Sequence, residues 1–215
     1  MLNRYFRASE NNIDFLYANI AVKNVNFALI SLDYIFNHPD FEISIYHDEH
    51  TFYFFHIQST LTACGNISNV FYNFSGFNAK LATLRCERLR MLLNIKKADF
   101  PLVFQKEVRN TNEHFDERYE QFSGSIGDYN LLSNTTDAYM RTVIQTNPHL
   151  RTYDKEKGIY YTYDRKMNRI EYNLHWLDNE LREMLIRITE NPVFESAWID
   201  FIPDERANEQ IHHIS

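Results

Sequence analysis

A chain of 215 residues, 44% hydrophobic and 15% aromatic, is long and apolar enough to bury a core without staples, which excludes a disordered protein. Its formal charge of -7 excludes a body coated with cations for general nucleic-acid binding, while leaving room for a small basic site. Only 5 Gly and 5 Pro interrupt it, which favours long helices over many short strands; the 2 Cys, Cys64 and Cys86, set no disulfide framework and fit a reducing compartment.

The amino-terminal "MLNRYFRASENN" lacks an apolar signal core, and no uninterrupted apolar run of membrane-spanning length follows. The expectation is a cytoplasmic protein with no membrane span. Residues 12–36 predict a long helix, because Val25, Ala28, Leu29, Leu32 and Phe36 recur at steps of three and four. Asn37-His38-Pro39 ends it, since proline disfavours helical geometry in the residue before it. Residues 48–74 predict a second long helix with Phe54, Ile57, Leu61, Cys64, Ser68 and Phe71 on one face and Ser75-Gly76 as its stop. Gly65 in its interior costs about 1 kcal/mol relative to alanine.

A third helix starts at the Asn78 cap and is expected to bury Leu81, Leu84, Leu89 and Leu92. A fourth has Asp99 as cap and Pro101 in its first turn, with Phe104, Val108, Phe115, Tyr119 and Phe122 as its buried stripe. Residues 123–147 read as loop, with "SGSIGD" and "SNTTD" as turn signals. The pattern then changes: "HLRTYD", "GIYYTYD" and "NRIEYN" cluster aromatic and β-branched residues between short polar connectors, which predicts a hairpin or three-strand meander within residues 149–173. Residues 174–190 predict a last helix with Leu177, Leu181, Leu185 and Ile188 on one face, closed by Asn191-Pro192. Part of the tail, with Trp198, Ile199, Phe201 and Ile202, is expected to pack. The fold class expected is mainly α: four to five helices in one domain over residues 1–215, with a small antiparallel β insertion at 149–173. Helix should exceed strand at least threefold, with strand confined to that insertion.

The stretch "EVRNTNEHFDE" carries Arg109, Asn110 and His114 on the predicted fourth helix. One residue advances a helix by about 1.5 Å and 100°, so Asn110 and His114 are neighbours one turn apart. Arg109 lies further round, but its long side chain can reach back. Two other regions place His a similar distance after Arg, from Arg169 to His175 and from Arg206 to His212 and His213. Neither has Asn after the Arg; Arg169 starts in a predicted strand, and Arg206 sits in the tail. Read without any relative, the stretch is a solvated helix face with pairs of opposite charge.

With the helices before Phe122, Arg109-Asn110-x-x-x-His114 resembles the HEPN superfamily, small α-helical domains marked by Arg, four to six residues and His, with Asn commonly after the Arg. The resemblance implies a metal-independent endoribonuclease, acting as a toxin or phage-defence component. Arg109, Asn110 and His114 would be its catalytic residues. It also implies a homodimer with two such helices facing each other across a two-fold axis, RNA as substrate, an antitoxin as possible partner, and no cofactor. Some toxin members carry a tyrosine two residues after the histidine; here Asp116 stands there. The alternative on the same scaffold is a catalytically inert dimeric binding protein.

Other clusters carry two readings each. "YHDEH" brings together His47, Asp48, Glu49 and His50, with His56 further on. His47 and His50 could share a metal, but without a fourth ligand at a fixed spacing a helix N-terminus with dipole-complementing acids is preferred. Arg85, Arg88 and Arg90 in "LRCERLR" could contact phosphates, but a polar face paired with Glu87 is preferred. Cys86 has no partner at a recognisable spacing and reads as structural. The tyrosines of "GIYYTYD" could stack bases, yet packing on helices is preferred. His212-His213 reads as tail.

Overall fold

The computed structural model of the chain describes residues 4–6, 13–37, 48–72, 79–114, 129–132, 150–192 and 198–200. In chain order these form strand β1 (Arg4–Phe6), helices α1 (Ile13–Asn37), α2 (Glu49–Tyr72), α3 (Ala79–Leu92) and α4 (Lys106–Glu113), strands β2 (Tyr129–Leu132), β3 (Arg151–Asp154), β4 (Ile159–Tyr163) and β5 (Arg169–Asn173), helix α5 (Leu174–Thr189) and strand β6 (Trp198–Asp200). Among the described residues helix outweighs strand more than threefold, so the protein is mainly α with a small sheet.

α1 packs chiefly on α2 and α5. Fully buried Ala18, Ala21 and Ala28 on α1 let the larger Phe52, Ile57, Leu61, Ile67 and Phe71 of α2 approach closely. Asp48 starts α2: its carboxylate accepts from the Thr51 amide at 2.6 Å and the Thr51 hydroxyl at 2.7 Å. By length and mean hydropathy alone α1 could cross a membrane, although its residues interrupt any continuous apolar run; half of its most apolar window is buried inside the fold. α3 buries only Cys86 and Leu89. Leu81 and Leu84, expected in the core, are 62% and 50% exposed. The reason is that α3 is held to α1 by polar contacts of its second half: Arg88 grips Asp14 with two 2.6 Å bonds, and the Arg85 guanidinium lies 4.0 Å over the Tyr17 ring.

The segment between α3 and α4 departs from the expected helix start at Pro101. Residues 101–104 make a single turn, with the Phe104 amide on the Phe100 carbonyl at 3.2 Å, and Gln105 is extended before α4 begins at Lys106. Side chains from β5 and α5 hold it there. The Glu180 carboxylate accepts from the Leu102 and Val103 amides at 2.9 and 3.0 Å. The Tyr172 hydroxyl donates to the Leu102 carbonyl at 2.8 Å, and Arg187 donates to the Asn94 carbonyl and to Asp99. α4 is therefore eight residues long. Phe115, Tyr119 and Phe122 lie outside the described residues, as do Phe201 and Ile202.

The sheet has the order β2-β3-β4-β5. β3, β4 and β5 form the expected antiparallel meander, in which Tyr153 pairs with Tyr160 and Tyr160 with Tyr172. β2 adds a fourth strand parallel to β3, with Leu132 opposite Asp154. This corrects the expectation that 123–147 is all loop and that strand is confined to 149–173; so does the antiparallel pair β1–β6 near the two ends of the chain. A parallel strand leaves no hairpin turn to announce it. Both meander turns are built on aspartates. Asp154 accepts from the Glu156 and Lys157 amides before Gly158 (φ +62°), and Asp164 accepts from the Lys166 and Asn168 amides around Met167 (φ +62°).

The three paired tyrosines, each at most 2% exposed, face the helices. Tyr153 packs on Tyr53 of α2 with ring centroids 5.3 Å apart, and Tyr160 meets Phe54 edge-on at 6.4 Å. Asn173 both ends β5 and caps α5, accepting from the Trp176 amide at 3.0 Å.

Glu180 gives a direct test of the 101–104 turn. Replacing it with alanine orphans two amides, and hydrogen bonds to charged groups are worth about 1.5–3 kcal/mol, so unfolding free energy should fall by roughly 2 kcal/mol. Burial pushes the Glu180 carboxyl up and works against that gain. Glu180→Gln, which keeps an acceptor, should lose about half as much. An unchanged urea midpoint for Glu180→Ala would refute the assignment.

Candidate functional site

α4 carries the Arg-Asn-x-x-x-His residues, and its placement follows from its neighbours. It buries Val108, Thr111 and Asn112. The Thr111 hydroxyl donates to the Tyr163 carbonyl of β4 at 2.6 Å, and buried Arg151 of β3 reaches the Asn112 side chain at 3.4 Å. One side of α4 thus rests on the sheet. The other side meets α2, and there Gly65 has its role. The Arg109 stem lies so close that a Cβ on Gly65 would stand 2.6 Å from the Arg109 Cδ. The interior glycine that is a cost by helix propensity is here the seat of a candidate site residue.

The three candidate residues point to different surroundings. Arg109 is half-buried; its guanidinium donates to the Gly65 carbonyl at 3.4 Å and lies 3.6 Å from the Glu113 carboxylate. The crevice around it, between Cys64, Gly65, Ser68 and Gln105, has room for about one water molecule (10 Å³). Asn110 lines a separate, open groove of about 450 Å³ between the start of α4 and the β4–β5 turn, shared with Lys106, Asp164, Arg165, Lys166 and Asn168. His114 is exposed and closes the helix: its amide bonds to the Asn110 carbonyl at 3.0 Å, and its own backbone (φ -119°, ψ 43°) has left helical geometry. The exposed side of α4 carries Lys106, Glu107 and Glu113. Asp116 lies outside the described residues.

The remaining clusters settle into structural roles. The Arg85, Arg88 and Arg90 cluster is engaged, although by Tyr17, Asp14 and Tyr72 and not by Glu87: Arg90 sits 4.6 Å over the Tyr72 ring and donates to the Phe71 carbonyl at 2.6 Å. Both cysteines are buried. The Cys86 thiol lies 3.4 Å from the Val70 carbonyl, and burial pushes the Cys64 thiol up to about 12. In "YHDEH", Asp48 is a helix cap and His50 is exposed; Thr51 holds the Asp48 carboxyl below its usual range. Among the described residues no three potential ligands gather around a metal position. His47, Arg206, His212 and His213 lie outside the described residues. His56 sits between α1 and α2, stacked on Tyr34 (5.0 Å) with the rings of Phe52 and Phe55 edge-on at 4.8 and 5.1 Å; burial pushes its pKa down to about 4. His175, at one of the other Arg-His spacings, stacks on Phe36 at 4.2 Å.

By sequence alone "RKM" at residues 165–167 is a short polar connector between strands, and nothing marks Lys106. What brings these cations together is the docking of α4 on β4 through Thr111, a contact between residues 52 apart with no linear signal. Comparison with protein-family models, with curated proteins and with solved structures found no match.

Gly65→Ala isolates the Arg109 seat. Alanine in a helix interior is favoured over glycine by about 0.5–1 kcal/mol, while the new Cβ must displace a flexible side chain. The urea midpoint should therefore change little, and Arg109 should react faster with phenylglyoxal in peptide-mapped labelling. Unchanged Arg109 labelling would mean that the stem does not rest on Gly65.

His56 predicts acid sensitivity. The unfolded chain protonates this histidine near 6.5, the folded one near 4, so the unfolded state takes up the proton first. Stability is fully present above pH 6.5 and declines as pH falls towards 4, by on the order of 3 kcal/mol from this group. His56→Phe should lose distinctly less stability than the wild type between pH 7 and 4.5 in urea titrations; equal losses would refute it.

Proposed function

We propose that the protein is a metal-independent endoribonuclease of the HEPN type, with His114, Arg109 and Asn110 as its catalytic residues. The observation that carries this reading is an exposed His114 at the end of a helix whose Asn110 opens onto a polar groove bordered by Lys106, Arg165 and Lys166. A neutral His114 takes the proton from a ribose 2′-hydroxyl. The 2′-oxygen bonds to the adjacent phosphorus, the P–O5′ bond breaks, and the 5′-oxygen takes a proton from water. The products are a 2′,3′-cyclic phosphate and a 5′-hydroxyl. Arg109 stabilises the charge on the phosphoryl oxygens, for which it must swing away from the Gly65 carbonyl and Glu113. In a two-fold dimer a second Arg109–His114 set completes the cleft. A toxin or phage-defence role, with an antitoxin as partner, fits such an activity.

One observation favours a second reading, a catalytically inert dimeric binding protein on the same scaffold. Arg109 is already engaged by Gly65 and Glu113, as a structural arginine would be.

The test is cleavage of single-stranded RNA in excess chelator. The protein should leave 2′,3′-cyclic phosphate ends, and light scattering should report a dimer. His114→Ala should cost about 10²–10⁴ in rate, and Arg109→Ala a comparable factor. His175→Ala should cut as the wild type does. Cleavage that needs a metal, or that survives His114→Ala, would end the ribonuclease reading; a dimer that cuts no RNA would establish the inert one.

A further inference from the structure

The groove beside Asn110 has a chemistry of its own. Lys106 stands at the first residue of α4, and Arg165 and Lys166 at the tip of the β4–β5 turn, so three cations from two distant parts of the chain border one space of about 450 Å³. All three are exposed, and among the described residues none is within 4 Å of a carboxylate. Most other arginines described are engaged: Arg88, Arg182 and Arg187 in close ion pairs, Arg85 and Arg90 on tyrosine rings. Of the two acids in the groove, Asp164 is turned onto its own loop. It accepts from the Lys166 and Asn168 amides and the Asn168 side chain, and the Asn168 bonds hold it below the usual carboxylate range. The turn that anchors Asp164 is thus the one that presents Arg165 and Lys166.

We propose that this groove binds the sugar-phosphate backbone of single-stranded RNA, with Lys106, Arg165 and Lys166 taking up phosphate charge and Asn110 and Asn168 hydrogen-bonding the strand. The choice of RNA rests on the ribonuclease reading; the preference for phosphate rests on the groove. Its described lining has no aromatic or aliphatic anchor of the kind that peptide partners fill. Cations and short polar side chains without a stacking platform suit backbone contacts and read no base sequence. The groove also supplies the positive charge that Glu107 and Glu113 on the same helix would otherwise oppose.

The experiment uses the full chain carrying His114→Ala, so that the probe survives. Fluorescence anisotropy with labelled oligouridylate is read across a salt series. Arg165→Ala with Lys166→Ala should weaken binding at least tenfold at low salt and flatten the log–log salt slope by about 1.4, about 0.7 for each phosphate charge no longer neutralised. Lys106→Ala should flatten it by about 0.7 more. Lys23→Ala with Lys80→Ala, exposed cations on α1 and α3, should change neither, and an oligoadenylate should bind as oligouridylate does. RNA that binds equally well without Arg165 and Lys166 overturns the proposal, as does a failure to bind RNA, or a polyglutamate peptide that competes with the same salt slope. Groove-dependent binding by a wild-type chain that cuts nothing would leave the groove standing and end the ribonuclease reading. Cutting that is indifferent to Arg165 and Lys166 would do the reverse.

Discussion

The row of tyrosines across the meander is the interaction on which the architecture depends. Tyr153, Tyr160 and Tyr172 lie opposite one another on three neighbouring strands, so one register places all three rings on one face. A slip of one residue would turn the set to the other face. In the observed register the rings meet Tyr53 and Phe54 of α2, and the Tyr172 hydroxyl, too polar to be buried alone, donates to the Leu102 carbonyl. The sheet is thereby fixed to α2 in the helical core and to the segment leading into α4. Asn173 follows directly and starts α5, whose Glu180 and Arg187 reach back to the same segment. The consecutive residues Tyr172 and Asn173 thus tie a strand to the 101–104 segment and start the helix that holds the same segment.

α4 is placed by this framework and not by its own sequence. Its eight residues are too few to be stable as an isolated helix, and three neighbours hold it: Gly65 under Arg109, the Tyr163 carbonyl at Thr111, and Arg151 at Asn112. Successive residues therefore do different work. Arg109 faces α2, Asn110 the groove, Thr111 and Asn112 the sheet. This sharing constrains any chemistry at Arg109 and His114. A guanidinium wedged over Gly65 has an aligned stem, so its reorientation towards a phosphate involves its last bonds and the release of Glu113, not a movement of the helix.

Where packing repeats with the period of the backbone, the sequence was readable. The ends of α1, α2 and α5 fall within two residues of the expected ones, and the meander lies where the alternation starts at residue 149. The misses have specific causes. Leu81 and Leu84 follow helical spacing but belong to a helix fastened by arginines of its second half, so periodicity overstated its burial. Pro101 is a good first-turn residue, but the Glu180 carboxylate and Tyr172 hydroxyl, both about 70 residues or more away, fix a separate turn there. β2 pairs in parallel and has no hairpin to signal it. The candidate site was legible only as a motif. That Gly65 seats Arg109 and that Arg165 and Lys166 stand beside Asn110 are consequences of tertiary contacts alone.

Net charge and local charge also separate here. The repulsion between a chain of charge -7 and a polyanion is largely screened beyond about 8 Å at physiological salt. Within that length what counts is which cations are free to pair. Arg88, Arg182 and Arg187 are bound to Asp14, Asp178 and Asp99, and their guanidinium charge is answered on the spot. Asp164 is answered chiefly by the Lys166 and Asn168 amides and the Asn168 side chain, which carry no net charge, and among the described residues the flanking Arg165 and Lys166 have no carboxylate within 4 Å at the groove. A turn made by a carboxylate and tipped by two cations thus gives an acidic protein a local positive edge. Because that edge lies on the turn between β4 and β5 while Asn110 lies on α4, its position relative to the Arg-Asn-x-x-x-His residues is set by the Thr111–Tyr163 contact.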